Sequence, residues 1–368
     1  METLKLRSTQ AASPIYQGGK PISHLADKFG LDVADINKLG SNENPLPTPD
    51  SVKSAIQQAA AGLNRYPPSV GRLREQLAIY LGQGVNAENI VIGNGGCDVL
   101  NLIAASFIEP GDEAIICRPT FPVYELTLKR LGASMVYADL NDDFSYSVER
   151  ILAAVTPKTR LLYLTTPNNP TGSILTKAEQ AAIMSQLPDH VLVVADEVYW
   201  QFNDHPDRND SLHYVREGAN IVVLHSFSKL MGLAGLRIGY GIAPVAIAEY
   251  LQRGQLPFHI NALSIAAGMA AIADRDYLEA TIDLTLTERP RMLEALQKID
   301  GIEAFPSAAN FILVKPEMAG PALDEALQRE GIIVRDLSGF YMPGYLRVSV
   351  GQADENEALL EKLEKVLG

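Results

Sequence analysis

Apolar residues along this chain fall into two alternating patterns. Short continuous runs, NIVIG (89–93), EAIIC (113–117), SMVYA (134–138), RLLYLT (160–165), HVLVVAD (190–196) and NIVVLHS (220–226), are rich in Val, Ile and Leu. Such runs predict strands buried on both faces, since a half-exposed strand would alternate apolar with polar residues. Between them lie stretches with helical spacing, among them DVLNLIAASFI (98–108) and KAEQAAIMSQL (177–187). The alternation predicts an α/β fold, a mostly parallel central sheet flanked by helices on both faces. RIGYGIA (237–243) follows the last run after a short connection and is expected as an antiparallel strand.

The pattern changes on either side of this region. Residues 1–40 are mixed, carry GGKP, and read as an N-terminal arm or linker. LGSNENPLPTPD (39–50) is a loop rich in Asn and Pro that leads into a helix at Pro49, Asp50 and Ser51. From about residue 259, long helices precede NFILVKP (310–316), GIIVRDL (331–337) and YLRVSVG (345–351), a smaller α+β segment. The expected division is an arm (1–40), a large domain (41–258) and a small C-terminal domain (259–368). A chain of 368 residues is long enough for two domains.

Charge and cysteine content narrow the functional classes. The chain carries 31 basic and 44 acidic residues, a net charge of −13, which argues against a nucleic-acid partner. Two cysteines, Cys97 and Cys117, make neither a disulfide framework nor a four-ligand zinc site, and the six histidines are scattered. The start, METLKLRSTQ, lacks the apolar centre of a secretory signal, and no apolar run is long enough to span a membrane. The expectation is a soluble, cytoplasmic, reduced protein with no metal and no membrane partner.

Candidate chemistry sits where the apolar runs end. GNGGCD (93–98) is neither a dinucleotide fingerprint nor a Walker A loop. It reads either as a tight turn or as a loop offering backbone N–H groups to one phosphate at a helix N-terminus. NNPTG (168–172) is a turn by itself, and Asp196 of DEVY (196–199) either caps a helix or faces a ligand at a strand's carboxyl end. SFSKLMGLAGLR (226–237) combines Ser226, Ser228, Lys229 and Arg237. Those hydroxyls and the arginine suit phosphate oxygens, while a lysine in that setting suits Schiff-base chemistry or is merely a solvated strand end. Cys97 reads as a small packing residue rather than a thiol activated by a helix N-terminus, and His225 as a strand-end filler.

The four motifs occur in order, 27 residues from Asn169 to Asp196, 33 more to Lys229 and 8 more to Arg237. In that order and spacing they resemble the fold-type I pyridoxal-phosphate enzymes, specifically the class I/II aminotransferases. Within that superfamily the chain is most similar to the histidinol-phosphate aminotransferase family, through PIYQGGKPI (14–22), SNENP (41–45), NRYP (64–67), PTFPVY (119–124), FSKLMGLAGLRIGY (227–240), GIIVR (331–335) and YLRVSVG. Two departures stand out. Gly96-Cys97-Asp98 replaces the family's Ser or Ala followed by Asp-Glu, and Tyr66-Pro67-Pro68 replaces Tyr-Pro-Asp. The first removes a side-chain acceptor but keeps the backbone donors.

The resemblance implies a fold-type I architecture and pyridoxal 5′-phosphate as cofactor. It implies Lys229 as Schiff-base lysine and proton carrier, Asp196 as partner of the pyridinium nitrogen, and Tyr199 with Asn169 on the ring's phenolic oxygen. Phe121 would stack on the ring. Gly96, Cys97, Ser226, Ser228 and Arg237 would hold the phosphate. For substrate it implies Asn42, Asn169 and Arg347, the last clamping a carboxylate, with Arg335, Tyr16 and Tyr66 around a substrate phosphate. Tyr66 would come from the neighbouring subunit of a homodimer with shared sites. The implied reaction is transamination between L-histidinol phosphate and 2-oxoglutarate in histidine biosynthesis. The alternatives are a broad-range or aromatic aminotransferase, which would make less use of Arg335, and a phosphothreonine decarboxylase-like lyase. A binding protein that kept the fold would need no such lysine.

Overall fold

The computed structural model describes residues 6–11, 13, 15 and 18–368. Its central sheet contains β1 (Ile90–Gly93), β2 (Glu113–Ile116), β3 (Ser134–Tyr137), β4 (Thr159–Thr165), β5 (Leu192–Asp196), β6 (Ile221–Ser226) and β7 (Gly239–Ile242). They lie in the order β1-β7-β6-β5-β4-β2-β3, and only β7 runs antiparallel to its neighbours. Each expected strand is present, with its ends within two residues of those expected. The HVLVVAD strand starts at Leu192 because the Val191 N–H is held by Pro188 O in a turn, at 3.1 Å.

Burial on both faces explains the continuous apolar runs. Leu162, Leu164, Val193, Ala195, Ile221 and Val223 pack into the layer on one face. Their alternating neighbours Leu161, Tyr163, Leu192, Val194, Val222 and Leu224 pack into the other. Two-residue side-chain alternation therefore fills both layers, and the strand interiors leave no position for a polar residue. Helix α1 (Gly96–Phe107) follows β1, and α2 (Val123–Leu131) follows β2.

A smaller antiparallel sheet contains β8 (Ile302–Phe305), β9 (Phe311–Pro316), β10 (Arg335–Asp336) and β11 (Leu346–Ser349), ordered β10-β11-β9-β8. Its own core includes Ile312, Val314, Leu346 and Val348 with Leu323, Leu327 and Leu359 from helices. Helix α3 (Arg275–Leu296) connects the two regions. Its buried Arg289 donates to Phe202 O at 2.8 Å and to Ala309 O at 3.2 Å, tying the large sheet's side to the small one.

Two readings of the sequence change. GIIVRDL is broken at Val334, with Ile332–Ile333 pairing in parallel with Asn37–Lys38 while only Arg335–Asp336 joins the small sheet. The end of the segment read as an arm or linker is thus tied to the C-terminal part. Helix Ile22–Phe29 places Leu25 beside Ile36 and Ile333, and Asn37 N donates to Gly331 O at 2.9 Å. Among the described residues, no helix is long and apolar enough to cross a membrane. Among them, too, no cluster of three or more His, Cys, Asp or Glu could hold a metal ion.

Candidate active site

A cavity of about 360 Å³ opens where β1, β2, β4, β5 and β6 end at their carboxyl edge, the edge at which open α/β sheets bind ligands. Each strand delivers one element of chemistry. Gly96 and Cys97 follow β1, Phe121 follows β2, Asn169 follows β4, Asp196 ends β5 with Tyr199 three residues on, and Ser226 ends β6 with Ser228 and Lys229 just after it. Arg335 and Arg347 reach the same cavity from the small sheet. These residues, scattered over the sequence, therefore meet in one place.

One end of the cavity is built for an anion. The first backbone N–H groups of α1 open towards it at Gly96 and Cys97, and Ser226, Ser228 and Arg237 surround it. Arg237 Nη1 donates to Ala234 O at 3.0 Å and lies 3.4 Å from Ser228 Oγ. Arg237 itself adopts a left-handed φ of 52°. Gly95 has φ 90°, and a Cβ there would lie 2.4 Å from Arg237 Nη2, so only glycine lets the guanidinium come so close.

The opposite wall carries a buried carboxylate. Tyr124 OH donates to Asp196 Oδ2 at 2.6 Å, and the Val198 N–H approaches Oδ1 at 3.4 Å. Burial pushes the Asp196 carboxyl up to about 6 despite both donors, so a cation facing it would be welcome. Tyr124 also meets Thr165 Oγ1 at 2.9 Å and stacks edge-on against Phe121. It had no assigned role in the sequence reading, although it lies three residues after Phe121 within the same PTFPVY motif.

Lys229 sits between these ends. Its Nζ donates to Asn42 O at 2.9 Å and Ser41 O at 3.2 Å, and lies 5.4 Å from the centre of the Tyr199 ring. Burial, reinforced by the Arg347 charge, lowers its pKa to about 7, giving an amine that is neutral and nucleophilic near neutrality. Asn42, with a positive φ of 52°, spends both side-chain atoms on the site. Nδ2 donates to Tyr199 OH at 3.0 Å, and Oδ1 accepts from Ser349 Oγ at 3.2 Å.

Arg347 Nη1 donates to Asn169 Oδ1 at 2.5 Å, and Nη2 to Gly40 O at 3.0 Å. Arg335 Nη1 donates to Gly18 O at 2.9 Å. Across the β10–β11 pair, Arg335 stands directly opposite Arg347.

Of the remaining expectations, only the one for Cys97 changes. Tyr66 is 79% exposed and stacks on Phe258 with ring centres 4.5 Å apart; it does not line this chain's cavity. Tyr16 lies outside the described residues. Cys97 is not a packing residue in the core but an exposed thiol on the cavity wall, because it is the second residue of α1 and the helix starts at the cavity's edge. Its pKa is raised, chiefly by desolvation, so the helix terminus does not activate it. His225 is buried, as a strand-end filler should be, 3.3 Å from Tyr240 OH and 3.7 Å from Glu197.

The sequence model of the class I and II aminotransferases matches residues 34–363. The chain belongs to this aminotransferase family. Among its relatives, histidinol-phosphate aminotransferase from Akkermansia muciniphila is 40% identical over 354 residues, covering 96% of each chain. Histidinol-phosphate aminotransferase 1 from Cupriavidus pinatubonensis is 39% identical, covering 97% of this chain and 95% of the relative. Among solved structures, the aminotransferase fold recurs in histidinol-phosphate aminotransferase from Sinorhizobium meliloti in complex with pyridoxal-5′-phosphate. It superposes with a TM-score of 0.87 at 27% identity, covering 100% of this chain and 99% of that one. Aspartate aminotransferase from Thermus thermophilus with maleate shares the fold, with a TM-score of 0.83 at 22% identity over 99% of this chain and 100% of that one.

Proposed function

We propose that this aminotransferase uses pyridoxal 5′-phosphate to exchange an amino group between L-histidinol phosphate and 2-oxoglutarate, yielding imidazole acetol phosphate and L-glutamate. It works in the cytoplasm as a homodimer. The chain divides into an arm (1–40), a large domain (41–258) and a small domain (259–368), with the cavity between the last two.

The residues present fit the cofactor. The anion end formed by α1, Ser226, Ser228 and Arg237 suits its phosphate, Phe121 offers a ring face, and the buried Asp196 carboxylate suits a protonated ring nitrogen. When bound, pyridoxal phosphate supplies the electron sink that lets a substrate α-proton leave. Asp196 keeps the proton on the ring nitrogen, with Tyr124 fixing the carboxylate's direction. Tyr199 and Asn169 would hold the cofactor at its phenolic oxygen. Lys229 holds the cofactor in the resting enzyme and afterwards moves the proton at the substrate α-carbon, a task that requires a neutral amine.

Substrate choice rests chiefly on Arg335 opposite Arg347. Both line the cavity together with Lys229, and two guanidiniums there suit anionic substrates. Arg347 takes the α-carboxylate of the 2-oxo acid; L-histidinol phosphate has no carboxylate, so Arg335 takes its phosphate with Arg347 beside it. The test is Arg335→Leu. A charge-assisted hydrogen bond contributes roughly 1.5–3 kcal/mol. The expected loss in kcat/KM for L-histidinol phosphate is therefore about 10–150-fold. Turnover of unphosphorylated aromatic amino acids should change little. Equal losses on both donors would instead favour a broad-range aminotransferase.

The lowered Lys229 pKa gives a second expectation. Below about 7 the amine is protonated and cannot attack; above it the neutral form dominates. The rate at which cofactor-free protein captures pyridoxal phosphate should rise about tenfold between roughly pH 6 and pH 8 and then level off. Asp196, titrating at about 6, adds to the loss on the acid side. Stopped-flow absorbance would measure the profile. A rate that climbs only at the ordinary lysine pKa would show that burial does not tune Lys229.

A further inference from the structure

Phe340 has no assigned role, yet it touches both substrate arginines. It lies in the turn between β10 and β11, is 2% exposed, and lines the cavity. The Arg335 guanidinium carbon is 5.5 Å from the centre of its ring, and that of Arg347 is 5.6 Å away. One aromatic ring thus serves two cations that stand directly opposite each other. Both distances are within cation–π range, so the ring's negative face attracts both guanidiniums.

The ring is held from outside the cavity. Leu337, Leu313 and Met342 pack around it, and the Phe340 N–H donates to Leu337 O at 2.8 Å. The next residue, Tyr341, takes a left-handed φ of 61°, unusual for an aromatic residue. Its hydroxyl donates to the buried Glu125 carboxylate on α2 at 2.9 Å, and Lys129 holds the same oxygen at 2.9 Å. The turn is therefore pinned to the helix that begins just after Phe121, so the ring's position is fixed relative to the cofactor side of the cavity.

We infer that Phe340 is a specificity-determining residue: its ring couples Arg335 and Arg347 into one receptor at fixed spacing, favouring substrates that engage both arginines over those that engage one. A phosphate monoester dianion, whose three terminal oxygens can be shared between two guanidiniums, and the dicarboxylate 2-oxoglutarate are of the first kind; aromatic amino acids, with one carboxylate held by Arg347, are of the second. The inference rests on the reading of these arginines as substrate-binding. Phe340 acts through them and is a positioning residue in the chemistry.

The experiment compares Phe340→Leu and Phe340→Met, which keep apolar bulk but lose the ring, with Phe340→Tyr, which keeps it. The holoenzymes are assayed for kcat and KM on L-histidinol phosphate and on L-phenylalanine, and for binding of 2-oxoglutarate. In the Leu and Met variants the preference for the phosphorylated donor should fall about five- to thirtyfold, mainly through KM. The 2-oxoglutarate dissociation constant should rise alongside, while Phe340→Tyr stays within about twofold of the parent. The Met variant carries the test if the Leu variant fails to load cofactor. An unchanged preference without the ring, or an equal fall in Phe340→Tyr, would overturn the proposal. If the parent enzyme turns over no phosphorylated donor, the donor assignment fails, and 2-oxoglutarate binding across the variants still decides the role of Phe340.

Discussion

Lys229→Ala should lower kcat by about 10⁴-fold or more while leaving the protein folded, because one amine is asked to do two jobs. It anchors the cofactor and it moves the substrate α-proton. No neighbour can replace it. Tyr199, whose ring centre lies 5.4 Å from Nζ, has its pKa raised by burial, so near neutrality it stays a protonated phenol and cannot accept the proton. Lys229→Arg should be nearly as inactive, since guanidinium stays protonated and cannot accept the proton. The Lys229 contacts to Asn42 O and Ser41 O are hydrogen bonds to backbone carbonyls, and their loss should cost only modest stability. Purified parent protein given pyridoxal phosphate should turn yellow, and borohydride should fix the cofactor to the peptide containing Lys229. Label on a different lysine, or substantial turnover by Lys229→Ala, would refute the assignment.

The same residues show why so much of the site could be found without a structure. In a sheet covered on both faces, strand interiors are apolar, so the polar groups gathered where buried runs end, Asp196, Ser226 and Lys229 among them, stand out. That contrast marks the carboxyl edge where the cavity forms. Other features leave no such mark. β8, an edge strand of the small sheet with only Ala304 buried, is too short to show as a buried apolar run. The break at Val334 depends on a ladder with Asn37–Lys38, almost three hundred residues away in the chain. Tyr124 looks like any buried aromatic on a helix until the fold brings it against Asp196. Phe340 depends on a turn whose geometry is set by Tyr341 and Glu125, a contact between distant elements.

Hybrid dimers should regain activity that neither parent variant has. In this chain's own structure Tyr66 is exposed on Phe258, which is exposed too, and does not reach the cavity. An exposed aromatic pair of this kind suits an interface with a second copy, and a two-fold interface makes each contact reciprocal. If Tyr66 of the partner subunit closes each cavity, Tyr66→Ala and Lys229→Ala homodimers are both nearly inactive. In a mixed dimer one site then carries both defects, while the other has an intact Lys229 and an intact Tyr66. Random reassembly at equal ratio makes about half the dimers mixed, each with one intact site, so activity should return to about a quarter of the parent level. The measurement is to denature the two variants together, refold, and assay beside each variant refolded alone. Subunit exchange is verified independently with differently tagged chains. Activity that stays at the average of the two variants, once exchange is demonstrated, would place Tyr66 in the service of its own chain and rule out shared sites.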